Sequence, residues 1–230
     1  GRYTGDKPAG KGIAVLGDSH AMGWGVGDEE TFSAELQRLS GRPVYNLAVS
    51  SYGTVRELMW MEKSGLLDTV DAIIIQYCDN DLEENVGFVP PSPQDAKKEF
   101  ATITQARGAS LSSELKLLNK GYWLTFRIPL SLLKIRLLPE PPKDFLPHYQ
   151  PVVDAFSQHE ALKAKRIIIF YSNAKGGKFR AFPAGKARQL PNVEFVDLNL
   201  ERDDYYRIDD HLTSAGHNKV AQRLYELIRP

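Results

Sequence analysis

The sequence predicts a three-layer α/β/α sandwich built on a five-stranded parallel sheet. Three observations carry that prediction. Short apolar runs alternate along the chain with segments of helical periodicity, the pattern that βα units leave in a sequence. One of the runs, Ala72-Ile73-Ile74-Ile75, is apolar at every position, as a central parallel strand covered on both faces requires. The same alternation returns after a long interruption, so a single domain over 1–230 with an insertion at about 86–150 accounts for the chain, and no internal boundary is needed.

Taken in order, residues 1–11 are polar and loop-like. The glycines and lysines of Gly5 to Gly12 superficially resemble a phosphate loop, but Gly12 stands where Ser or Thr is needed and the segment precedes a strand instead of following one. The first strand is Ile13 to Leu16, stopped abruptly by Gly17-Asp18-Ser19. Phe32, Leu36 and Leu39 recur at helical spacing and predict a helix from about Glu29 to Leu39. A second strand over Pro43 to Leu47 leads into Asn46 to Gly53, and a helix follows from about Thr54 to Lys63, with Thr54 as cap and Glu57 completing a capping box. The third strand, Asp71 to Gln76, ends in Tyr77-Cys78-Asp79-Asn80-Asp81.

From Val86 to about Gln150 the alternation breaks, with Pro90, Pro91 and Pro93 at one end and Pro139, Pro141, Pro142 and Pro147 at the other. Within it, 115–138 is Leu-rich and carries five basic residues and no acid. Two readings stand side by side: a lid or side layer packed on the core, or a basic amphipathic surface that touches membrane or an acidic glycan. Pro129 argues against one unbroken helix there. The regular pattern resumes with a helix near Val152 to Lys163, a strand Arg166 to Tyr171, a Gly- and Lys-rich loop from Asn173 to Gly185, a strand Val193 to Val196, and a closing helix from about Ser214 to Ile228. Val220, Leu224, Leu227 and Ile228 form the apolar stripe of that last helix.

Composition excludes several function classes. The 29 basic and 29 acidic residues balance, so no global field selects nucleic acid. With 42% hydrophobic residues the chain is ordinarily globular. No apolar run approaches the roughly 20 residues of a transmembrane helix. The single Cys78 rules out an internal disulfide without deciding the compartment. Opening on Gly1-Arg2-Tyr3, the sequence reads as a trimmed or processed chain from which an upstream anchor could have been removed. His20, His148, His159 and His217 have no metal-ligand spacing, so neither metal nor other cofactor is expected.

Four polar clusters fall at strand ends or before the last helix: Gly17-Asp18-Ser19, Asn46 to Gly53, Asn80-Asp81, and Asp209-Asp210-His211-Leu212-Thr213. Each alone has a bland explanation as turn, cap or surface residue, Asp209 and Asp210 included. Their conjunction in this order resembles the SGNH/GDSL hydrolase family across most of the chain apart from the insertion. Gly17-Asp18-Ser19 is similar to that family's nucleophile block, with His20 where a Leu is usual. Asn46 to Gly53 is similar to its second block, Cys78-Asp79-Asn80-Asp81 to its Gly-x-Asn-Asp block, and Asp209-Asp210-His211 to its terminal acid–histidine block.

The resemblance implies a flavodoxin-like sheet and a serine esterase working through an acyl-enzyme. Ser19 is then the nucleophile, His211 the base, and Asp209 the orienting acid, with Asp210 as second choice, because Ile208 occupies the family's common acid position. It implies an oxyanion hole made by the Ser19 N–H, the N–H of Ser51 or Gly53, and the Asn80 side chain. Two departures accompany it: Cys78 replaces a glycine, and Ser51 stands at the family's donor glycine. The expected substrate is an acylated small molecule or glycan, with an acetyl or other short acyl group removed from a carbohydrate. An O-acyltransferase acting on a glycan and a catalytically silent glycan-binding module are the alternatives. The resemblance also leans towards a periplasmic or extracytoplasmic, membrane-anchored location, with membrane proximity through an anchor or through 115–138.

Overall fold

The computed structural model describes residues 1–78, 81, 84–85, 146–172 and 190–229. These residues belong to one compact unit. The predicted insertion up to 145, with its 115–138 segment, and the Asn173–Gly185 loop lie outside the described residues.

In chain order the elements are β1 (Gly12–Leu16), α1 (Ser19–Met22), α2 (Phe32–Ser40), β2 (Val44–Asn46), α3 (Thr54–Lys63), β3 (Val70–Tyr77), α4 (Leu146–Ser157), β4 (Arg166–Tyr171), β5 (Val193–Val196) and α5 (Ser214–Ile228). The strands form one sheet in the order β2-β1-β3-β4-β5, every pair parallel, as predicted. Because successive side chains of a strand point to opposite faces, β1 divides its residues between two cores. Ala14 and Leu16 pack with Leu58 and Met61 of α3 and Val152 and Phe156 of α4. Ile13 and Val15 pack with Ala21 of α1, Phe32 and Leu36 of α2, and Val220 and Leu224 of α5. Helices therefore cover both faces, which is why Ile73, Ile74 and Ile75 are all fully buried.

Three sequence expectations need correction. The helix expected from Glu29 to Leu39 is two pieces, a 3₁₀ turn at Asp28–Glu30 and then α2. Thr31 separates them, its extended backbone capping α2 while its Oγ1 accepts the Ala34 N–H at 3.3 Å. The capping box at Thr54 and Glu57 does not form. Gly53 is the cap, Thr54 is the first helical residue, and its hydroxyl donates instead to Asp81 Oδ1 at 2.9 Å. The helix expected over Val152–Lys163 begins earlier and stops earlier, at Leu146–Ser157, with a 3₁₀ turn at Glu160–Ala164. Pro147 did not delay it, since a proline in the first helical turn loses no intrahelical hydrogen bond.

The leading segment is not merely solvated. Thr4 is buried and donates to the Val44 carbonyl at 2.6 Å, Gln37 Nε2 donates to the Thr4 carbonyl at 2.6 Å, and Arg2 bridges to Asn46. Among the described residues, no helix is long and apolar enough to cross a membrane.

Candidate active site

The strand order reverses direction at β1: β2 lies on one side of it and β3 on the other. In an open parallel sheet, that reversal leaves a crevice at the carboxyl ends of the two diverging strands. Gly17-Asp18-Ser19 leaves β1 there and Cys78 leaves β3 there. Gly17 leaves no space for a side chain, because a Cβ would lie 2.6 Å from Ala21 Cβ and 2.8 Å from Gln76 Oε1. That close approach lets Gln76 Oε1 accept the N–H groups of Asp18 and Ala21, both at 3.2 Å. Asp18 then caps α1, its Oδ1 accepting the His20 N–H at 2.9 Å, and Ser19 opens the helix.

Opposite Ser19 stands His211, in the loop before α5. Its Nε2 lies 2.7 Å from Ser19 Oγ. Asp209 Oδ1 meets both the ring Nδ1 of His211 and its backbone N–H, the latter at 3.0 Å. The carboxylate that reaches the ring is thus that of Asp209, two residues before the histidine, and not that of Asp210. Partial burial pushes the Asp209 carboxyl up, but the hydrogen bonds from the His211 ring and backbone outweigh it and hold its pKa below the ordinary value. An ionised Asp209 holds the proton on Nδ1 and leaves Nε2 as an acceptor facing the serine hydroxyl.

The remaining candidates divide. Ser51 has a left-handed backbone, φ 65°, the conformation for which glycine is usual, and its carbonyl is held by Arg56. Gly53 caps α3. Among the described residues, neither Ser51 nor Gly53 spends its N–H on a backbone acceptor. Asn80 lies outside the described residues. No three His, Cys, Asp or Glu side chains among the described residues are grouped to hold a metal ion.

Several contacts at this site were not foreseen from the sequence. His20 is buried with its ring 4.8 Å from that of His211, centroid to centroid, and its Nδ1 lies 3.3 Å from Ser172 Oγ. Burial pushes the His20 pKa down, which favours the uncharged form of the ring beside His211. Cys78 Sγ donates to Asp18 Oδ2 at 3.0 Å, its N–H donates to Asp81 Oδ2 at 2.9 Å, and Asp81 takes the Thr54 hydroxyl. This chain of bonds ties together the three segments that follow β1, β2 and β3. Burial raises the Asp81 pKa to about 7, against the hydrogen bonds from Cys78 and Thr54. One signal was readable beforehand: Gln76 is a polar residue closing an otherwise apolar run, and such a residue in a buried strand needs partners.

Comparison with solved structures finds the same architecture. A protein from Desulfitobacterium hafniense assigned to the lipolytic G-D-S-L family superposes with a TM-score of 0.52 at 13% identity, over 95% of this chain and all of that one. The chain has the SGNH/GDSL hydrolase fold. A carbohydrate esterase family 2 enzyme from Corynascus thermopiles (Myceliophthora fergusii) matches with a TM-score of 0.52 at 11% identity, over 97% of this chain and 67% of that one. TesA matches at 0.51 and 10% identity, over 96% and 99%. No family model and no curated protein matches the sequence. At these identities the SGNH/GDSL likeness is one of fold, and what the site does must be argued from its own geometry.

Proposed function

We propose that this protein is a serine ester hydrolase that works through an acyl-enzyme. The observation that carries the reading is the relay from Asp209 through His211 to Ser19, with Ser19 Oγ 2.7 Å from Nε2. A serine hydroxyl is a weak nucleophile until a base within hydrogen-bond reach takes its proton. His211 Nε2 is at that reach, and Asp209 stabilises the imidazolium that results. Attack of Oγ on the ester carbonyl places negative charge on the carbonyl oxygen. The Ser19 N–H and the N–H of Ser51 or Gly53 receive that charge in this reading, with Asn80 as the side-chain donor. The tetrahedral species collapses as Nε2–H protonates the departing alcohol, and water repeats the sequence to release the acid.

A short acyl ester of a carbohydrate is the substrate class we propose. It is supported by the fold shared with a carbohydrate esterase and by the resemblance of the sequence blocks. An extracytoplasmic location belongs to the same proposal and rests on the resemblance alone. The test is labelling with a fluorophosphonate probe alongside hydrolysis of acetyl esters. Wild-type protein is expected to form an adduct on Ser19 and Ser19→Ala to lose both adduct and turnover. Folded wild-type protein that forms no adduct would point instead to a silent binding module, and acyl product on an added glycan would point to a transferase.

A further inference from the structure

We infer that Trp24 is the specificity-determining platform for the alcohol half of the ester, and that it selects a pyranose ring. The inference rests on the esterase reading above and extends it to one side of the scissile bond.

Trp24 is 54% exposed, and its indole lies 6.1 Å from the His211 ring, centroid to centroid, at 35°. Among the described residues the exposed large apolar side chains are Tyr3, Trp24, Trp60 and Ile208, and Ile208 immediately precedes Asp209. Trp24 lies five residues after Ser19 in sequence.

The backbone that presents Trp24 is held on both sides. Its own N–H donates to the Ser19 carbonyl at 3.0 Å. Gly23 and Gly25 take left-handed backbones, φ 82° and 88°. The Gly23 carbonyl accepts from Arg2, the Val26 carbonyl accepts from Arg2 Nη2 at 3.0 Å, and the Gly25 carbonyl accepts from Tyr206 Oη at 3.0 Å. An indole left in water on a turn pinned this way is ready to receive a ligand with little loss of conformational freedom.

Chemistry says which part of the substrate it meets. When the tetrahedral species collapses, the carbonyl–alkoxy bond breaks and Nε2–H of His211 transfers its proton to the alkoxy oxygen. The alcohol must therefore lie on the His211 side of Ser19, where Trp24 is, and the acyl group on the opposite side. An exposed aromatic face beside the His211 ring, with the exposed carboxylate of Asp209 on that same ring, suits a sugar ring with one C–H face and a polar rim. A long alkyl chain would need a continuous apolar groove.

The experiment varies the two halves of the ester separately in wild type, Trp24→Ala and Trp24→Phe. Trp24→Ala is expected to lower kcat/KM for an acetylated methyl pyranoside about tenfold more than for ethyl acetate, chiefly through KM. Trp24→Phe is expected to recover part of that difference, while the ratio of ethyl acetate to ethyl butyrate stays as in wild type. Equal losses on all esters would mean that Trp24 only supports His211, and a changed acetate-to-butyrate ratio would place it on the acyl side; either overturns the inference. If wild type hydrolyses none of these esters, the esterase reading fails and binding decides separately. A fluorescence change on titrating the acetylated pyranoside, present in wild type and absent in Trp24→Phe, sustains the platform, and its absence from wild type overturns it.

Discussion

Asp209 and Asp210 are adjacent carboxylates, yet only Asp209 meets the His211 ring. The difference arises because Asp209 Oδ1 also accepts the His211 backbone N–H, closing a small local turn that aims the carboxylate at Nδ1. Replacing such an acid by its amide leaves the shape but loses the tautomer, at a cost of about 10⁴ in kcat in a comparable triad. Asp209→Asn is expected to lose activity on that order, and Asp210→Asn to lose far less, measured as kcat on ethyl acetate. Comparable losses in the two variants would reassign the acid. The pair also marks a limit of sequence reading: spacing left both residues open, and the choice depended on a turn that spacing does not describe.

Among the elements, the joint between β1 and β3 holds the Gly17-Asp18-Ser19 turn. Cys78 stands where the sequence block it resembles has a glycine, and its thiol supplies a hydrogen bond that glycine has no atom to make. Removing it leaves Asp18 Oδ2 without that donor while Asp18 is buried, and hydrogen bonds to charged groups contribute about 1.5–3 kcal/mol. Cys78→Ala is therefore expected to lower kcat about tenfold or more with little change in KM, and Cys78→Ser to restore most of it. A variant Cys78→Ala with wild-type kcat would show that Gln76 and the α1 cap alone hold Ser19. The helix boundaries teach a related lesson. Thr54 satisfies the sequence pattern of a cap, but it is the first helical residue and Gly53 is the cap, because the Thr54 hydroxyl meets the buried Asp81 carboxyl instead of an N–H of its own helix. Local pattern named the helix and tertiary contact chose its cap.

On the scale of the whole molecule, acidic groups are concentrated beneath the site. Glu57 is 2% exposed, and among the described residues neither of its side-chain oxygens has a hydrogen-bond partner. Burial first, and the charges of Asp81 and Asp18 next, push its pKa well above the ordinary 4.5. The folded protein thus keeps a proton that the unfolded chain releases above about 4.5, so stability falls as pH rises from there towards the folded pKa. Asp81, at about 7, acts in the same direction over its own range. His217 acts oppositely. Its burial lowers the pKa to about 4, and its Nδ1 accepts the Phe32 N–H at 3.2 Å, so its share of stability is lost as pH falls from 6.5 towards 4. Comparing Glu57→Gln with wild type cancels the His217 contribution. The variant is expected to lose less thermal stability than wild type between about pH 5 and pH 8, by thermal unfolding. Equal losses would mean that Glu57 is not the group that titrates.

The sequence by itself determined the layers and the order of the chemistry-bearing segments. Apolar runs such as Ile73-Ile74-Ile75 and the stripe of α5 are local consequences of burial, and burial periodicity is written directly into residue spacing. Only the tertiary structure decided which of those segments meet. Ser19 and His211 are 192 residues apart, and their 2.7 Å contact exists because α1 and α5 pack on the same face of the sheet. The thiol of Cys78 against Asp18, the ring of His20 beside His211, and the indole of Trp24 beside the same His211 ring have the same origin. Each is a contact between segments distant in the chain, set by the parallel register of β1 and β3 and by the packing of loops at their carboxyl ends, and no periodicity within a segment encodes it.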